Sequence, residues 1–359
     1  MSEIKSLGRY EIKGVLGKGA MGLVYDGLDP TLNRRVAIKT ILTRGLDEST
    51  AKHYNMRFKR EVRAVARLNH GNIVQVYDFG NEGELAYIVM EYIQGRELKD
   101  AFDAKETFDF KTIFRLMGEL LAALDFAHEA GVVHRDIKPA NVMLDAGGHV
   151  KLADFGVARV AENDGDAAEK TRAGAMIGTP SYMSPEQIQG QQIDRRTDIF
   201  SAGIVFYQFL TGQKPFEGNG WALAKMIVTD DPVWPSQLVQ VPESIDRVMA
   251  KALAKDADQR YATARQFAED LQSIAAGKEP QHAATATAAK KAAAPDPAAA
   301  AAAAAKAAAV GSEAEREFWE GVKDSDDPDD LELYVEQFPA GAFIEQARAK
   351  VAALRGKKA

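Results

Sequence analysis

Residues 134–141, His134-Arg135-Asp136-Ile137-Lys138-Pro139-Ala140-Asn141, decide the fold and carry the densest chemical signal of the chain. They lie between an apolar helix-like segment and the strand-like residues 142–145. Core packing gives no reason to place an acid, a cation and an amide so close together. Asp136 can accept a proton from an attacking hydroxyl, Lys138 can neutralise a phosphoryl group, and Asn141 can offer an amide oxygen to a hard cation. The stretch therefore indicates a phosphate-transfer site.

A second acidic motif, Asp154-Phe155-Gly156, follows after one further strand-like segment. By itself, Asp-x-Gly is equally typical of a tight turn. Its place after residues 134–141 favours a functional role, because the Asp154 carboxylate is a ligand that magnesium prefers. Asn141 and Asp154 are therefore the candidate magnesium ligands.

A glycine-rich stretch, residues 16–25 with the sequence LGKGAMGLVY, lies between two strand-like segments. Glycines allow a backbone to approach phosphate groups and to adopt positive φ angles. The spacing of Gly17, Gly19 and Gly22 also occurs in dinucleotide-binding folds, where the glycines lead from a strand into a helix. Here residues 23–25 continue as a strand, which favours a hairpin over phosphates. An ordinary glycine-rich turn is the alternative.

A lysine stands at the end of the apolar strand-like segment Val36-Ala37-Ile38-Lys39. A lone strand lysine is usually a solvated edge residue, but the nearby glycine-rich hairpin places Lys39 better to reach phosphate oxygens. It then needs a carboxylate partner. Glu61, on an amphipathic helix, is the candidate, and Glu48 and Glu91 are the alternatives.

The periodicity of the apolar residues changes near residue 92. Before it, β-branched and aromatic residues bounded by Gly, Pro or Asn predict strands at residues 10–16, 22–28, 35–41, 73–79 and 86–92. One helix, predicted for residues 51–68, interrupts them. After residue 92, helical stripes dominate, and residues 199–209 are apolar nearly all round, as in a buried helix. A strand-rich part followed by a helix-rich part predicts an α+β fold.

The composition of the 359 residues limits the remaining classes. The formal net charge of −7 argues against a nucleic-acid-binding surface. The absence of cysteine excludes disulfides and suits a reducing compartment. The first residues lack an apolar signal, and the most apolar run, residues 199–210, is shorter than the ~20 residues that span a bilayer. We therefore expect a cytoplasmic protein without a transmembrane segment.

The composition changes abruptly after residue 275. Residues 276–311 are mostly alanine, which offers too little apolar area for a core, so this segment is interpreted as a linker. Residues 312–355 show three short helical patterns, with helix starts at Ser312 and Asp327. They loosely resemble one tetratricopeptide-like unit. Fewer than ~50 residues bury a marginal core, so this module is predicted either to bind a partner protein or to be a solubilising appendage.

Taken together, the motifs resemble the eukaryotic-type protein kinase family, specifically its bacterial Ser/Thr branch. The resemblance rests on segments in the family's order, which are LGKGAMGLVY, VAIK, the helix with Glu61, the MEY hinge (90–92), HRDIKPAN, DFG, GTPSYMSPE (178–186) and DIFSAG (198–203). It implies a bilobal catalytic domain at residues 10–275, with a β-rich N-lobe at about 10–92 and an α-helical C-lobe at about 93–275. It also implies a non-specific serine/threonine protein kinase of signal transduction, which transfers the γ-phosphate of ATP to protein hydroxyls.

The same resemblance assigns the site residues. The implied catalytic set is Asp136, Lys39, Lys138, Asn141 and Glu61. The implied nucleotide-binding set is Leu16, Gly17, Lys18, Gly19, Gly22, Val24, Ala37, Lys39, Met90, Glu91, Ile93, Met143, Ala153 and Asp154. Magnesium is implied at Asn141 and Asp154, with manganese as a substitute, and Lys39 is expected to pair with Glu61.

Further roles in the C-lobe follow from the resemblance. Lys138, two residues after Asp136, is typical of the Ser/Thr branch, and Thr179 would line the substrate groove. Glu186 would form a structural ion pair with Arg260. Asp198 would brace the catalytic loop from the buried helix.

Control of activity is a separate expectation. In the resembling kinases, a phosphate on the activation segment, here residues 154–186, neutralises the arginine that stands at Arg135. Thr171 is the only hydroxyl in the polar, acidic first half of this segment. We therefore predict that a second copy of the chain, in a homodimer, phosphorylates Thr171. The alternative is an ordinary exposed Thr171, with Arg135 satisfied by an acid such as Glu169.

Two other functions compete with this interpretation. A pseudokinase scaffold would only bind partners, and it would have no need of the polar residues Lys39, Glu61, Asp136, Asn141 and Asp154. A small-molecule kinase of similar fold would not need residues 178–186, which shape a groove for a peptide. The sequence therefore favours a protein kinase.

Overall fold

A computed structural model describes residues 4–19, 22–42, 48–83, 85–155, 180–218 and 220–283, and near the C-terminus residues 319, 323, 331, 334 and 343–356. The chain forms two compact units, Met1–Ala289 and Lys290–Ala359. The first unit contains nearly all of the described elements and every candidate site residue. No helix among these described residues is both long and apolar enough to cross a membrane.

A six-stranded antiparallel sheet forms the first part of the large unit, in the order β1-β2-β3-β4-β6-β5. Its strands are β1 (Ser6–Leu7), β2 (Tyr10–Gly19), β3 (Gly22–Asp29), β4 (Arg34–Leu42), β5 (Val76–Glu82) and β6 (Leu85–Glu91). Helix α1 (Glu48–Ala66) interrupts the strands. The predicted strand 73–79 begins three residues late, because Ile73 instead forms a parallel bridge with Leu152.

Alternation along the strands divides the sheet between two cores. Val36 and Ile38 are fully buried in a small cluster with Leu7, Tyr10, Tyr25, Tyr87 and Val89. Ile41 and Ile88 join the main core, which also receives the apolar face of α1 through Phe58 and Val62. The apolar face of α1 therefore packs against the sheet, and the polar face of the helix is turned to solvent.

The second part of the unit is helical. Its helices are α2 (Leu98–Asp103), α3 (Phe110–Glu129), α4 (Pro185–Ile188), α5 (Arg196–Thr211), α6 (Gly220–Thr229), α7 (Pro235–Leu238), α8 (Glu243–Ala252) and α9 (Ala264–Ala275). Asp109 caps α3 by accepting from the Thr112 amide at 2.7 Å, and Gly212 ends α5 with a φ of 71°. Helix α5 is buried on almost every side, as predicted. These features confirm the α+β class and the bilobal kinase fold.

A small three-stranded sheet lies between α2 and the helices that follow. It contains β7 (Gly95–Glu97), β8 (Val142–Asp145) and β9 (Val150–Leu152) in that order. The candidate catalytic loop, residues 134–141, ends in a 3-10 turn at Pro139–Asn141. This turn leads directly into β8. The sheet therefore positions both ends of the site, residues 134–141 before β8 and Asp154 after β9.

The large unit continues past the predicted start of the linker. The Asp270 carboxylate, fully buried on α9, accepts from the amides of Gln281, His282 and Ala283 at 2.7–2.9 Å. The Tyr261 hydroxyl donates to the same carboxylate at 2.9 Å. The main-chain amides of residues 281–283 are thus bound to α9, so the first part of the predicted linker is attached to the large unit.

The second unit has a small apolar core of its own. Trp319, Leu331, Tyr334 and Ala347 are buried together, and the Trp319 and Phe343 rings stack at 5.4 Å. The last predicted helical face is present in α10 (Ile344–Gly356). Most of the two earlier helical patterns falls outside the described residues, and the likeness to a tetratricopeptide unit stays a prediction.

Candidate active site

In the loop at residues 134–141, two polar side chains surround one carboxylate. Lys138 Nζ donates to Asp136 Oδ2 at 2.8 Å, and Asn141 Nδ2 donates to the same oxygen at 3.0 Å. Asn141 Nδ2 also donates to the Asp136 carbonyl at 2.7 Å. The amide of Asn141 is therefore oriented with its nitrogen towards Asp136, which leaves its oxygen for a cation.

A buried carboxylate on α5 holds the loop backbone. Asp198 accepts from the amides of His134 and Arg135 at 2.8 and 2.7 Å, and it lies 2.8 Å from His128 Nε2. Arg135 adopts a φ of 65°, an uncommon left-handed conformation for a residue with a side chain. These contacts confirm that Asp198 braces the loop, and they stabilise the backbone turn that presents Asp136.

His134 is a structural residue with a defined proton position. Its Nδ1 accepts from the Asp136 amide at 3.2 Å, so the proton resides on Nε2, which donates to the Ala153 carbonyl at 2.9 Å. Complete burial lowers the pKa of the His134 imidazole below its usual value, which keeps the ring neutral. His134 thereby ties the loop before β8 to the segment after β9, where Asp154 lies.

Asp154 occupies the other side of the site. Its φ of 60° again places a residue with a side chain in the left-handed region. The following Phe155 is buried against His134, with ring centroids 4.6 Å apart. Val65 and Phe155 belong to the main core, and Val76 packs against it. The core thus fixes the backbone on which Asp154 stands.

Lys39 is paired differently from the expectation. Its Nζ lies 2.8 Å from Asp154 Oδ2. No ion pair between Lys39 and Glu61 occurs among the described residues, although both side chains are described. Asp154 is therefore the acidic partner of the Lys39 ammonium in this arrangement. Of the two alternatives, Glu91 pairs with Lys151 at 2.8 Å, and the side chain of Glu48 lies outside the description.

The glycine-rich segment is a hairpin, as predicted. Gly17 pairs with Val24, Lys18 with Leu23 and Gly19 with Gly22 across β2 and β3. A Cβ on Gly22 would lie 2.0 Å from the Thr40 carbonyl oxygen, so the neighbouring strand β4 requires this glycine. A Cβ on Gly17 would meet nothing within 4 Å. Packing therefore explains Gly22, while Gly17 remains open to a ligand.

The other residues assigned to the nucleotide lie on the strands around the hairpin and on β8 and β9. Ala37 faces Met90 across β4 and β6, and Val24 faces Lys39 across β3 and β4. Leu16 and Lys18 are exposed, and Ile93 is half-buried just after β6. On the other side, Met143 is half-buried on β8, and the Ala153 amide donates to the Asn141 carbonyl at 2.9 Å.

The Glu186–Arg260 ion pair is confirmed as a buried, bidentate contact. Arg260 Nη1 and Nη2 donate to the two Glu186 oxygens at 2.7 and 2.8 Å. Burial alone would raise the pKa of Glu186, but the hydrogen bonds and charge of Arg260 outweigh it and hold that pKa below its usual value. Thr197 adds a hydrogen bond at 2.5 Å that the sequence did not reveal.

Gln187 is another residue that motif reasoning missed. Its Nε2 donates to the Arg135 carbonyl at 2.7 Å, which connects α4 to the catalytic loop. Only its position next to Glu186, at the end of the motif at residues 178–186, could have drawn attention to it in the sequence. Two predicted residues, Thr171 and Thr179, and the alternative partner Glu169 lie outside the described residues.

The oxygen donors of the site fit a magnesium ion. Asn141 contributes an amide oxygen whose orientation is set by its bonds to Asp136, and Asp154 contributes a carboxylate. Oxygen ligands of this kind suit a small, hard cation. Among the described residues, no group of three or more His, Cys, Asp or Glu is placed to hold a metal ion. Asn141 and Asp154 are the two residues that would contribute ligands to a cation here.

Comparison with known proteins identifies the same family that the sequence motifs resemble. The protein kinase domain matches residues 10–271. A probable serine/threonine-protein kinase PknB of Bifidobacterium longum is 40% identical over 288 residues, which cover 77% of this chain and 41% of that protein. Serine/threonine-protein kinase PknB of Mycobacterium leprae is 39% identical over 279 residues, 76% of this chain and 44% of that protein. The chain thus spans less than half the length of these relatives.

Fold and site are those of a bilobal phosphotransferase, with a glycine-rich hairpin over one side and an acid-lysine-amide loop on the other. With the family match over residues 10–271, the assignment is direct. The chain belongs to the protein kinase family.

Proposed function

We propose that this chain is a non-specific serine/threonine protein kinase, which transfers the γ-phosphate of ATP to Ser and Thr hydroxyls of protein substrates. The observation that carries the proposal is the arrangement at Asp136, whose Oδ2 accepts from both Lys138 and Asn141. Relatives named as serine/threonine-protein kinases support the same activity and substrate class.

Asp136 acts on the attacking hydroxyl. Its Oδ2 is occupied by Lys138 and Asn141, so Oδ1 is the oxygen that receives the hydroxyl proton. Lys138 carries its positive charge beside that carboxylate, where it neutralises charge on the phosphoryl group during transfer. Asp198 and His134 keep this pair in place through the loop backbone.

The nucleotide and its cation bind on the opposite side of the site. Asn141 and Asp154 would hold magnesium, or manganese in its place, and the bound cation supplies charge neutralisation at the phosphates. Lys39 would hold the α- and β-phosphates. Its ammonium now pairs with Asp154, and we propose that Glu61 becomes its partner when Asp154 turns to the cation.

The remaining nucleotide contacts follow the hairpin and the hinge. The proposed set is Leu16, Gly17, Lys18, Gly19, Gly22, Val24, Ala37, Met90, Glu91, Ile93, Met143 and Ala153. The position of Glu91 is fixed by hydrogen bonds, because Lys151 and the Gln75 amide both donate to its carboxylate.

Regulation and location belong to the same proposal. Thr179 would line the substrate groove, and phosphorylation of Thr171 by a second copy of the chain would activate the enzyme. The module at residues 312–355 would bind a protein partner or serve as an appendage. We expect a cytoplasmic enzyme in signal transduction, without nucleic-acid binding.

Incorporation of labelled γ-phosphate into a generic protein substrate, followed by phosphoamino-acid analysis, tests the activity. We expect phosphoserine and phosphothreonine from wild type, and loss of incorporation in Lys39→Ala with the fold intact. Lys13→Ala is the matched control, since Lys13 is exposed and pairs only with Glu11 among the described residues. A wild-type chain that incorporates no phosphate with either magnesium or manganese would support the pseudokinase alternative.

A further inference from the structure

The outer face of α1 carries a groove that the transfer reaction does not use. Its volume is 420 Å³, and its lining residues are Met56, Lys59, Arg60, Arg63, Ala64 and Arg67. All six side chains are exposed, while Phe58, Val62 and Val65 on the opposite face are buried in the main core. The groove is therefore the solvent face of a helix that is firmly attached to the catalytic unit.

Four of the six described lining residues are cations, and none of the four has an acidic partner in the part of the chain that the structure describes. Among the described residues, no ion pair involves Lys59, Arg60, Arg63 or Arg67. Some exposed arginines elsewhere in the unit have acidic partners, as in Arg35–Asp26, Arg96–Glu106 and Arg115–Glu119. The whole chain has a net charge of −7, so composition does not explain this concentration.

The spacing of the cations adds a geometric constraint. Lys59, Arg63 and Arg67 follow one another at intervals of four residues, which places their Cα atoms about 6 Å apart along the helix axis. Like charges at this interval destabilise a helix. The repulsion between these cations is not offset by an acidic side chain among the described residues. We therefore infer that the compensating negative charge comes from another molecule.

We propose that this surface, the α1 groove, binds an acidic segment of a partner protein in extended conformation. Alternate side chains of an extended segment lie on one side, about 6.6–6.8 Å apart. Carboxylates at every second position therefore match Lys59, Arg63 and Arg67, with Arg60 beside them. Guanidinium groups bind carboxylates through two parallel hydrogen bonds, which suits the three arginines. This binding goes beyond phosphate transfer and needs no nucleotide.

A labelled peptide with glutamate at four alternate positions, separated by alanine, is the probe, and fluorescence anisotropy with the full chain gives its affinity. The K59E/R63E/R67E variant should bind at least about tenfold more weakly than wild type. The K5E/K111E/K278E variant carries the same change of charge at exposed positions outside the groove, and it should bind like wild type. Raising salt from about 0.1 M to about 1 M should weaken the wild-type complex, as the Debye length falls from ~10 Å to ~3 Å.

Several results would overturn the proposal. One is an equal loss of affinity in the two triple variants, which would indicate a general charge effect. Another is binding of the glutamine version of the peptide, or of an oligonucleotide of equal charge, as tightly as the acidic peptide. Phosphorylation of a neutral peptide should be unchanged by K59E/R63E/R67E, which separates this surface from the active site. If that variant unfolds, R63Q/R67Q, with its melting temperature unchanged, should still reduce the affinity, and an unchanged affinity would contradict the proposal.

Discussion

The two sides of the active site differ in how completely the fold positions them. On the helical side, Asp198, His134 and Asn141 fix the loop around Asp136 through hydrogen bonds of 2.7–3.2 Å. On the sheet side, Lys39 makes one ion pair, with Asp154, and Glu61 is not engaged with it. The comparison shows that several hydrogen bonds fix the loop around Asp136, whereas the one ion pair described for Lys39 joins it to Asp154.

The largest effect is expected from breaking the buried ion pair that supports the helical side. Arg260→Met leaves the buried Glu186 carboxylate without its partner, and the free energy of unfolding should fall by about 3–5 kcal/mol. Denaturant unfolding measures the change. Arg96→Met is the control, because both side chains of its pair with Glu106 are exposed, so its loss should cost ~1 kcal/mol or less.

The same pair gives a pH dependence with a definite sign. Arg260 holds the folded-state pKa of Glu186 below its usual value. Its contribution is therefore present above the pKa that Glu186 has in the unfolded chain, and it is lost as the pH falls through the lower folded-state pKa. The stability difference between wild type and Arg260→Met should shrink in acid, and a difference that grows in acid would contradict the assignment.

A smaller effect is expected from the brace itself. In Asp198→Asn the side chain keeps one oxygen, which is neutral. One of the loop amides, at His134 or Arg135, therefore loses its acceptor, and the other keeps only an uncharged one. We expect a loss of about 2 kcal/mol in stability, together with a lower kcat. Asp194→Asn makes the same chemical change outside the loop and should preserve kcat. If Asp198→Asn kept both stability and kcat, the loop would not depend on this carboxylate.

The extent of the catalytic unit can be tested by truncation. A chain ending at residue 280 loses the amides of Gln281, His282 and Ala283, while Asp270 stays buried. It should be less stable by about 1–3 kcal/mol than a chain ending at residue 289. Thermal unfolding of the two chains compares them directly. Equal melting temperatures would support the predicted end of the catalytic domain at residue 275.

The smallest effect is expected at the hinge. Lys151→Met removes the partner of Glu91 from a half-buried pair, which should cost about 1 kcal/mol or less and raise KM for ATP while kcat changes little. Burial and the charge of Lys151 both lower the pKa of His70, so this pKa should rise in the variant. NMR titration of His70 measures it, and Lys99→Met, which removes the exposed Lys99–Asp103 pair, is the control.

Motif reasoning was most successful where function depends on neighbours in sequence. Asp136, Lys138 and Asn141 lie within six residues of one another, so a single turn brings them together. The hairpin of β2 and β3 is also local, although packing against Thr40, and not a phosphate, accounts for Gly22. The pairing of Glu186 with Arg260 spans 74 residues, and only the family resemblance suggested it.

The remaining features depend on positions that a sequence pattern does not contain. The partner of Lys39 depends on which carboxylate lies within reach of its ammonium, and helical periodicity does not contain that distance. The linker was predicted from the alanine-rich composition of residues 276–311 as a whole. Asp270 nevertheless binds the main-chain amides of residues 281–283, a kind of group that every residue except proline provides. Main-chain contacts of this kind leave no signal in composition.

The central claim is that the loop around Asp136 is the catalytic side of a protein kinase. The rate of γ-phosphate transfer to a protein substrate by wild type and by Asp136→Asn tests it most directly, with ATP affinity measured alongside. We expect a loss of about 10²–10⁴-fold in kcat, because the carboxylate that accepts the hydroxyl proton is removed, and an unchanged affinity for ATP. An Asp136→Asn enzyme with nearly wild-type kcat would contradict the account.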